Sequence, residues 1–448
     1  MFDLITHSLS YTKEGTVAPF LKPMFVDNDI RQIITVMTDV KTSVKLDYVS
    51  ALKKITKAYA KGSAFTSSTG VTITQRTLAV GGVKAEVHQD GRVFLNWVRQ
   101  EALKTGVNIH NISGTEFEAL LMAVWTKALA RDFNSQVFFN DPKKETITSG
   151  APTGTLDANY AITDYKGFWT LFQDAVGGDF ASGQVLDLNT STYQDTVAVK
   201  GKKTATLTGT SGTANVVING RTYLATFATD LTTTAANFVT AHAATILALY
   251  GAVVVTSSGA GIIVEAGVAG MNVTVTVTNV SGNLAGSVAA TTAYVQNTTL
   301  KADAAKAAFK AAYLLMPNVM KGLKGSGSLR FIVTQTMYDN YMETLETATG
   351  IPEAYRMMID GVSTLSFRGI PVIARPQWDE NIEEDFDGVQ PHRFMLTAVE
   401  NLVFGTDGSG DSSMFEMWYE INEQENRMRC EYLGGTQFVH SDFTVLAY

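Results

Sequence analysis

A break in composition inside the chain constrains its fold more than any motif does. Residues 196–298 hold only about six charged side chains, while the segments on either side carry most of the Lys, Glu, Trp, Tyr and Met. Thr, Ala, Gly, Val and Ser fill the interval. Runs of β-forming residues recur there, at 204–207, 214–218, 222–227, 251–256, 261–265 and 273–277, and glycine turns punctuate them at Asn219-Gly220, Ser258-Gly259 and Ser281-Gly282. One helix is expected, over residues 234–249, with Phe238, Val239 and Ile246 on its apolar side. The interval therefore predicts a compact, mostly β module with a surface of small hydroxylated residues. It splits the chain into residues 1–189, an insert at 190–299, and residues 300–448.

The 448 residues, 45% hydrophobic, are enough for a sizeable core and two or three domains. At 17% the charged fraction falls below the roughly 25% of ordinary soluble domains, which favours a subunit covered by neighbours over a solitary enzyme. A formal charge of -8 argues against a dedicated nucleic-acid binder, whose basic footprint would dominate the composition. The single cysteine, Cys430, excludes an intramolecular disulfide framework and any multi-cysteine metal site, and points to a reducing cytosol. The opening MFDLITHSLS has no secretory pattern, and the longest apolar run, residues 243–255, is shorter than a bilayer span. No membrane association is expected.

The flanks predict one interrupted domain of the α+β class. Residues 1–57 suggest an extended arm, then a short amphipathic helix in which Val49, Leu52 and Ile55 alternate with Lys53, Lys54 and Lys57. A long hairpin follows, with Val71, Ile73, Leu78 and Val80 before a Gly81-Gly82 turn and Val83, Ala85 and Val87 after it. The strongest helix signal covers residues 115–133, where Phe117, Leu120, Leu121, Val124, Trp125, Ala128 and Leu129 repeat with helical period, and Ser113 with Glu116 forms a capping box. Further helices are expected at 164–176, 301–315 and 336–347. Strands are expected at 329–334, 364–367, 370–374, 393–397, 402–405, 414–421, 427–433 and 438–447, with the last ones antiparallel.

This order of arm, long hairpin, long helix, mixed sheet and terminal strands resembles the Hong Kong 97-type major capsid proteins of tailed bacteriophages. The C-terminal half carries the most specific strings. LRFIVTQTMYDNYMETL looks like the family's strand-then-helix step, FRGIPVIARPQWDE is similar to its G-x-P-V strand leading into a loop, and RFMLTAVENLVFGTD resembles the segment before its last strands. The run from Phe415 to Tyr448 is similar to the closing strands. The resemblance covers about 330 residues and leaves out the insert.

It implies a non-enzymatic shell subunit that assembles as hexamers and pentamers around double-stranded DNA, held by non-specific contact. Portal, scaffold and cement or head-decoration proteins are implied partners, the virion capsid the location, and the host bacterial cytoplasm the place of synthesis. Within it, residues 66–88 would be the extended loop lying over a neighbour, 1–40 the arm, 115–133 the spine helix, and 329–407 the axial domain. No scaffold-like coiled segment opens the chain, so scaffolding is expected to be separate or removed. The family's cross-linking trio of lysine, asparagine and carboxylate finds no match. The insert resembles β modules that decorate phage virion proteins, on the strength of GTSGTANVVINGRTYLATF, and would project from the shell.

No catalytic, cofactor-binding or metal-binding residues emerge. His7, His88, His110, His242, His392 and His440 never take a ligand spacing. KGLKGSGS, with Gly322, Gly325 and Gly327, lacks the strand before it and the Lys-Ser/Thr pair after it that a phosphate loop needs, so a flexible link is expected. The acidic residues Asp379, Glu380, Glu383, Glu384, Asp385 and Asp387 lack calcium-loop spacing and suggest a solvated loop. Lys45, Lys53, Lys54, Lys57 and Lys61 stand out as the only basic cluster, facing either DNA, a neighbouring subunit or solvent. Three other readings stay open: an encapsulin-like compartment shell, a tail or fibre protein binding glycans, and a glycan-active enzyme.

Overall fold

The computed structural model describes residues 30, 32–50, 56, 61, 71–90, 116–163, 165–180, 182–297, 299–347, 365–407 and 414–448. In chain order, strands β1 (Thr35–Met37), β2 (Ser43–Val49), β3 (Ile73–Ala79) and β4 (Gly81–Asp90) precede helix α1 (Glu116–Phe139). The hairpin β5 (Glu145–Thr148) and β6 (Ala151–Leu156), helix α2 (Phe168–Ala175) and β7 (Val185–Leu186) follow. The charge-poor interval supplies β8 (Lys202–Thr208), β9 (Gly212–Ile218), β10 (Arg221–Thr226), α3 (Leu231–Leu247), β11 (Val254–Ser258), β12 (Gly261–Glu265), β13 (Val275–Gly282) and β14 (Ala285–Thr292). The rest of the chain forms α4 (Ala304–Leu315), β15 (Leu329–Thr334), α5 (Gln335–Thr347), β16 (Ser366–Phe367), β17 (Ile370–Arg375), α6 (Pro376–Glu384) and β18 (Phe394–Ala398). It closes with β19 (Leu402–Gly405), β20 (Met414–Glu420), β21 (Glu425–Phe438) and β22 (Thr444–Ala447). The class is α+β, and among the described residues no helix is long and apolar enough to cross a membrane. The chain divides into two compact units, residues 1–140, 162–174 and 399–441 against residues 141–161, 175–398 and 442–448.

The first unit is organised by β21. Of its fourteen residues the first seven pair with β20 on one side and the first ten with β4 on the other, and the last four pair with β19, which lies parallel to β1. Strict alternation buries Asn426, Met428, Cys430 and Tyr432 and turns Glu425, Arg427, Arg429 and Glu431 the other way. Helix α1 covers the buried face. Trp125, Leu129, Phe133 and Val137 recur every fourth residue and are buried, and Phe133 meets Phe404 edge-on at 4.9 Å. The helix runs six residues past its predicted end. Asn134 and Ser135 interrupt the apolar period, but Ser135 returns its hydroxyl to the Arg131 carbonyl and Val137, Phe138 and Phe139 continue the buried side. It stops at Asn140, whose carbonyl accepts from Gly167 N–H at 2.7 Å, and only glycine permits that approach, since a Cβ at 167 would lie 2.5 Å from the Phe138 carbonyl.

The predicted hairpin across Gly81-Gly82 does not form. β3 pairs instead with β2, from Ser43 opposite Ala79 to Val49 opposite Ile73, and the two glycines begin β4, opposite Gly434 and Leu433 of β21. The chain thus passes from one partner to another at Val80. The crossing lies over Gly435, where a Cβ would come within 2.0 Å of the Ala79 carbonyl oxygen. Val49, expected on an amphipathic helix, ends strand β2; Leu52 and Ile55 lie outside the described residues. So do the capping residue Ser113 and residues 1–29 of the expected arm.

In the second unit a sheet ordered β16-β17-β15-β18-β22-β7 lies beneath α4. Phe309 of α4 packs within 5.0 to 6.0 Å of the rings of Phe331, Phe394, Tyr341 and Phe367, an aromatic cluster that fixes helix to sheet. The string after the G-x-P-V strand is a helix, α6, with Pro376 in its first turn, instead of the expected loop. The acidic cluster is accordingly not one solvated loop. Asp379 caps α5, accepting from Thr336 Oγ1 at 2.8 Å and Thr336 N–H at 3.3 Å, and the Asp387 carboxylate accepts from Gly150 N–H, while Glu383 and Glu384 remain exposed. KGLKGSGS is not a loose link either; it forms a short helical turn, Asn318–Gly322, followed by a tighter one, Leu323–Ser326.

The insert builds a three-stranded sheet, β10-β9-β13, and a four-stranded one, β11-β12-β8-β14. Its turn Asn219-Gly220 has φ of +48° and +75°, the two positive angles that favour this dipeptide. Helix α3 starts three residues early because Asp230 accepts from Thr233 N–H at 2.7 Å. β14 was missed, its sequence AGSVAATT being short of β-branched and aromatic residues; pairing with β8 imposes the strand. Bridges between Gln194 and Leu300 and between Val199 and Val295 bring the entering and leaving chain side by side. The insert has its own core around Val216, Ile218, Phe238, Ile262 and Val273, and Val389 from beyond it joins that core.

Candidate interaction surfaces

One side chain ties the insert to its surroundings. Lys144 is wholly buried, donating to the carbonyls of Glu145 at 3.0 Å and Asp385 at 2.8 Å, with the Asp157 carboxylate 4.0 Å away. Its ammonium lies 4.3 Å from the Phe386 ring centre and 5.2 Å from that of Tyr250, an insert residue. Burial pulls its pKa down to about 8 against the pull of the surrounding carboxylates. Close by, the buried Glu145 carboxylate pairs with Arg221 of the insert at 2.9 Å. These groups are structural, and each has its partner.

Among the described residues three outward-facing surfaces stand out. The ribbon β2–β3 is buried at its base, where Leu46 and Leu78 pack with Val403, and apolar at its far end, where Val49, Ile73 and Val71 are 56%, 63% and 48% exposed. The outer face of β4–β21–β20 is a ladder of charges. Arg429 bonds Glu86 at 3.0 Å and Glu431 at 3.3 Å, Lys84 bonds Glu86 at 3.0 Å, and Arg427 pairs with Glu423. Hydrogen bonds from Lys84 and Arg429 hold the Glu86 carboxyl below its ordinary pKa. Glu86, Glu423, Glu425, Arg427 and Arg429, with His88 and Trp418, line a cleft of about 540 Å³. The signal was present in the sequence as charges at every second position from Glu425 to Glu431, a strand with one charged face. The third surface is a set of exposed cations between Lys306 and Arg368.

The basic cluster expected near the start is not assembled among the described residues. Lys45 is exposed on β2 opposite Thr77, Lys61 is exposed, and Lys53, Lys54 and Lys57 lie outside the described residues. The histidines have packing or surface roles: His242 lies 4.9 Å from the Phe238 ring, His440 4.3 Å from Tyr48, and His392 Nδ1 3.3 Å from Thr336 Oγ1. His88 lies on the charged face of β4, and His7 and His110 fall outside the described residues. Among the described residues no group of three or more His, Cys, Asp or Glu could hold a metal ion. Cys430 is buried in β21 as expected, and burial pushes its thiol up to about 12, so it is no nucleophile.

No protein-family model matches the chain, and no curated protein does. Solved structures do resemble it. The satellite phage P4 procapsid including size determination (Sid) protein is 9% identical, with 99% of this chain and 93% of that chain covered at a TM-score of 0.48. For the capsid of Ralstonia phage GP4 the values are 9%, 92%, 86% and 0.39, and for the capsid of the native GTA particle 9%, 94%, 89% and 0.41. All three are capsid structures.

Proposed function

We propose that this chain is the major capsid protein of a tailed bacteriophage, a shell subunit whose work is done by its interfaces. The observation that carries the reading is the ribbon β2–β3. A two-stranded ribbon is marginal in water, and this one ends in Val49, Val71 and Ile73, three exposed apolar side chains that its own unit leaves uncovered. Burial against a second copy removes that cost, as repeated subunit contacts in a closed shell require. The long helix α1 behind a central strand, and the ladder of charges on the opposite face of the same sheet, give the first unit a rigid base with a specific outer surface.

The insert, joined to the rest by a paired neck and poor in charge, is read as a projecting module. Its role would be to stabilise neighbouring copies or to attach weakly to surface glycans. Portal, scaffold and cement proteins are the further partners that the reading requires. Electron microscopy of the protein expressed alone and with candidate neighbours from its genome tests it. Closed icosahedral shells or capsomer rings are the expected result, and their contents, DNA or cargo protein, separate a phage capsid from a compartment shell. A persistent monomer or a fibre in every condition overturns it.

A further inference from the structure

The stretch from Ala304 to Tyr338 carries Lys306, Lys310, Lys321, Lys324 and Arg330 and not one Asp or Glu, in a chain whose net charge is -8. These cations are spread across a helix, two turns and a strand, so they form no cluster along the sequence. The fold gathers part of them. Lys306 and Lys310 occupy successive turns of α4 and are exposed, and Tyr313, one turn further, is flanked by two cations. Lys324 Nζ lies 5.5 Å from its ring centre and the Arg368 guanidinium 4.7 Å. None of these six cations has a carboxylate within ion-pair distance among the described residues, unlike Arg427 and Arg429 in the first unit.

Two further observations point to use of this surface. Arg368 and Gly369 form the two-residue turn between β16 and β17, with φ of +52° and +80°. Such a turn favours Asn-Gly, and a long cationic side chain is disfavoured in the left-handed region. The fold tolerates an arginine where glycine or asparagine would sit with less strain. Beside it, Gly322 and Gly325 have nothing within 4 Å of a Cβ built on them and negative φ, so neither packing nor backbone demands glycine there. Their effect is to leave the main chain open next to Lys321 and Lys324.

We propose that Lys306, Lys310, Lys321, Lys324, Arg330 and Arg368 form a binding surface for the phosphodiester backbone of double-stranded DNA, indifferent to base sequence. Cations without a carboxylate partner, two of them at one aromatic ring, gain most from a dense polyanion, which releases its condensed counterions on binding. The inference rests on the capsid reading only for the source of that polyanion. It makes the second unit, and not the lysines near the start of the chain, the part that meets the genome.

The test uses the full chain, a fluorescent random-sequence duplex of about 30 base pairs, and binding measured from 50 to 200 mM salt. The triple variant Lys310→Gln, Lys324→Gln, Arg368→Gln is expected to bind at least tenfold more weakly at the lower salt. It should also flatten the slope of log K against log salt by about 2.7, three contacts at about 0.9 each. A control with the same change of net charge, Lys127→Gln, Lys143→Gln, Lys200→Gln, is expected to keep the parent slope. Equal flattening in both variants, or none in the first, overturns the proposal, as does competition by polyglutamate as effective, charge for charge, as that by unlabelled DNA. Electron microscopy of the same preparations keeps the two readings apart. Shells with an unaltered salt slope in the triple variant sink the DNA surface alone, while loss of DNA binding in that variant without shells from the parent chain sinks the capsid reading alone.

Discussion

Lys144→Met is expected to change how the protein's stability depends on pH, in a direction fixed by the lysine's burial. Folding removes the ammonium from water and lowers its pKa from 10.5 to about 8. The unfolded chain therefore binds the proton more tightly. Between pH 8 and 10.5 it carries more protons than the folded chain, so the free energy of unfolding rises with pH across that window. The difference, 10.5 less about 8, at about 1.4 kcal/mol per pH unit, amounts to roughly 3 kcal/mol. Below pH 8 the folded state bears this cost in full, and above 10.5 it is relieved. Asp141, Glu145, Asp157 and Asp385 face the ammonium, and burial pushes the Tyr250 phenol far up, so it stays neutral. Methionine has nearly the same length and no proton to lose. The variant forfeits the hydrogen bonds to the Glu145 and Asp385 carbonyls at every pH alike, so that loss cancels from the pH dependence. Urea unfolding of both proteins at pH 7, 8, 9 and 10 is the assay. The parent should gain on the variant by about 2 to 3 kcal/mol from pH 7 to 10. Parallel curves, offset by a constant within about 0.5 kcal/mol, would show that the ammonium is hydrated and the argument wrong.

Gly435→Ala places a Cβ 2.0 Å from the Ala79 carbonyl oxygen and 3.0 Å from Val80 Cα, both backbone atoms that can yield only by separating β3 from β21. A loss of about 1 to 3 kcal/mol in urea is expected; Gly322→Ala, open on all sides, serves as the reference, and an equal effect of the two would contradict the close crossing. Excising residues 196–298 is expected to leave the remaining chain folded and cooperative in its melting, because the insert carries its own core. Hydrogen exchange should quicken at residues 144–161 and 385–390, which lose Arg221, Tyr250 and the core around Val389. Non-cooperative melting of the excised chain would refute the separation.

The sequence-derived elements that proved accurate are those set by neighbours along the chain. Helix α1 follows from its apolar period, strand β15 from a run of apolar β-formers, and the turn at Asn219-Gly220 from two residues that accept positive φ. Errors cluster where a distant partner intervenes. Gly81-Gly82 has the local look of a hairpin, and nothing nearby reveals that β2 and β21 compete for the two strands it joins. Pro376 opens helix α6 in what reads as a loop, and AGSVAATT becomes a strand only because β8 presents an edge to it. For the candidate surfaces the division is similar. The alternating charges of β21 were legible, whereas the association of Lys324 and Arg368 around Tyr313 joins positions 44 residues apart in number.

By itself, then, the sequence determined the α+β class, most helices, the Asn219-Gly220 turn and the burial of Cys430. All of these depend on interactions within one turn of helix, one strand or one span of uniform composition. Tertiary structure decided which strands pair, that Lys144 would be sealed among carbonyls and rings, that Val389 would enter the core of the insert, and that scattered cations would meet. Hydrogen bonding between strands is indifferent to separation along the chain, and electrostatics acts through space, so neither leaves a local mark for a sequence to show.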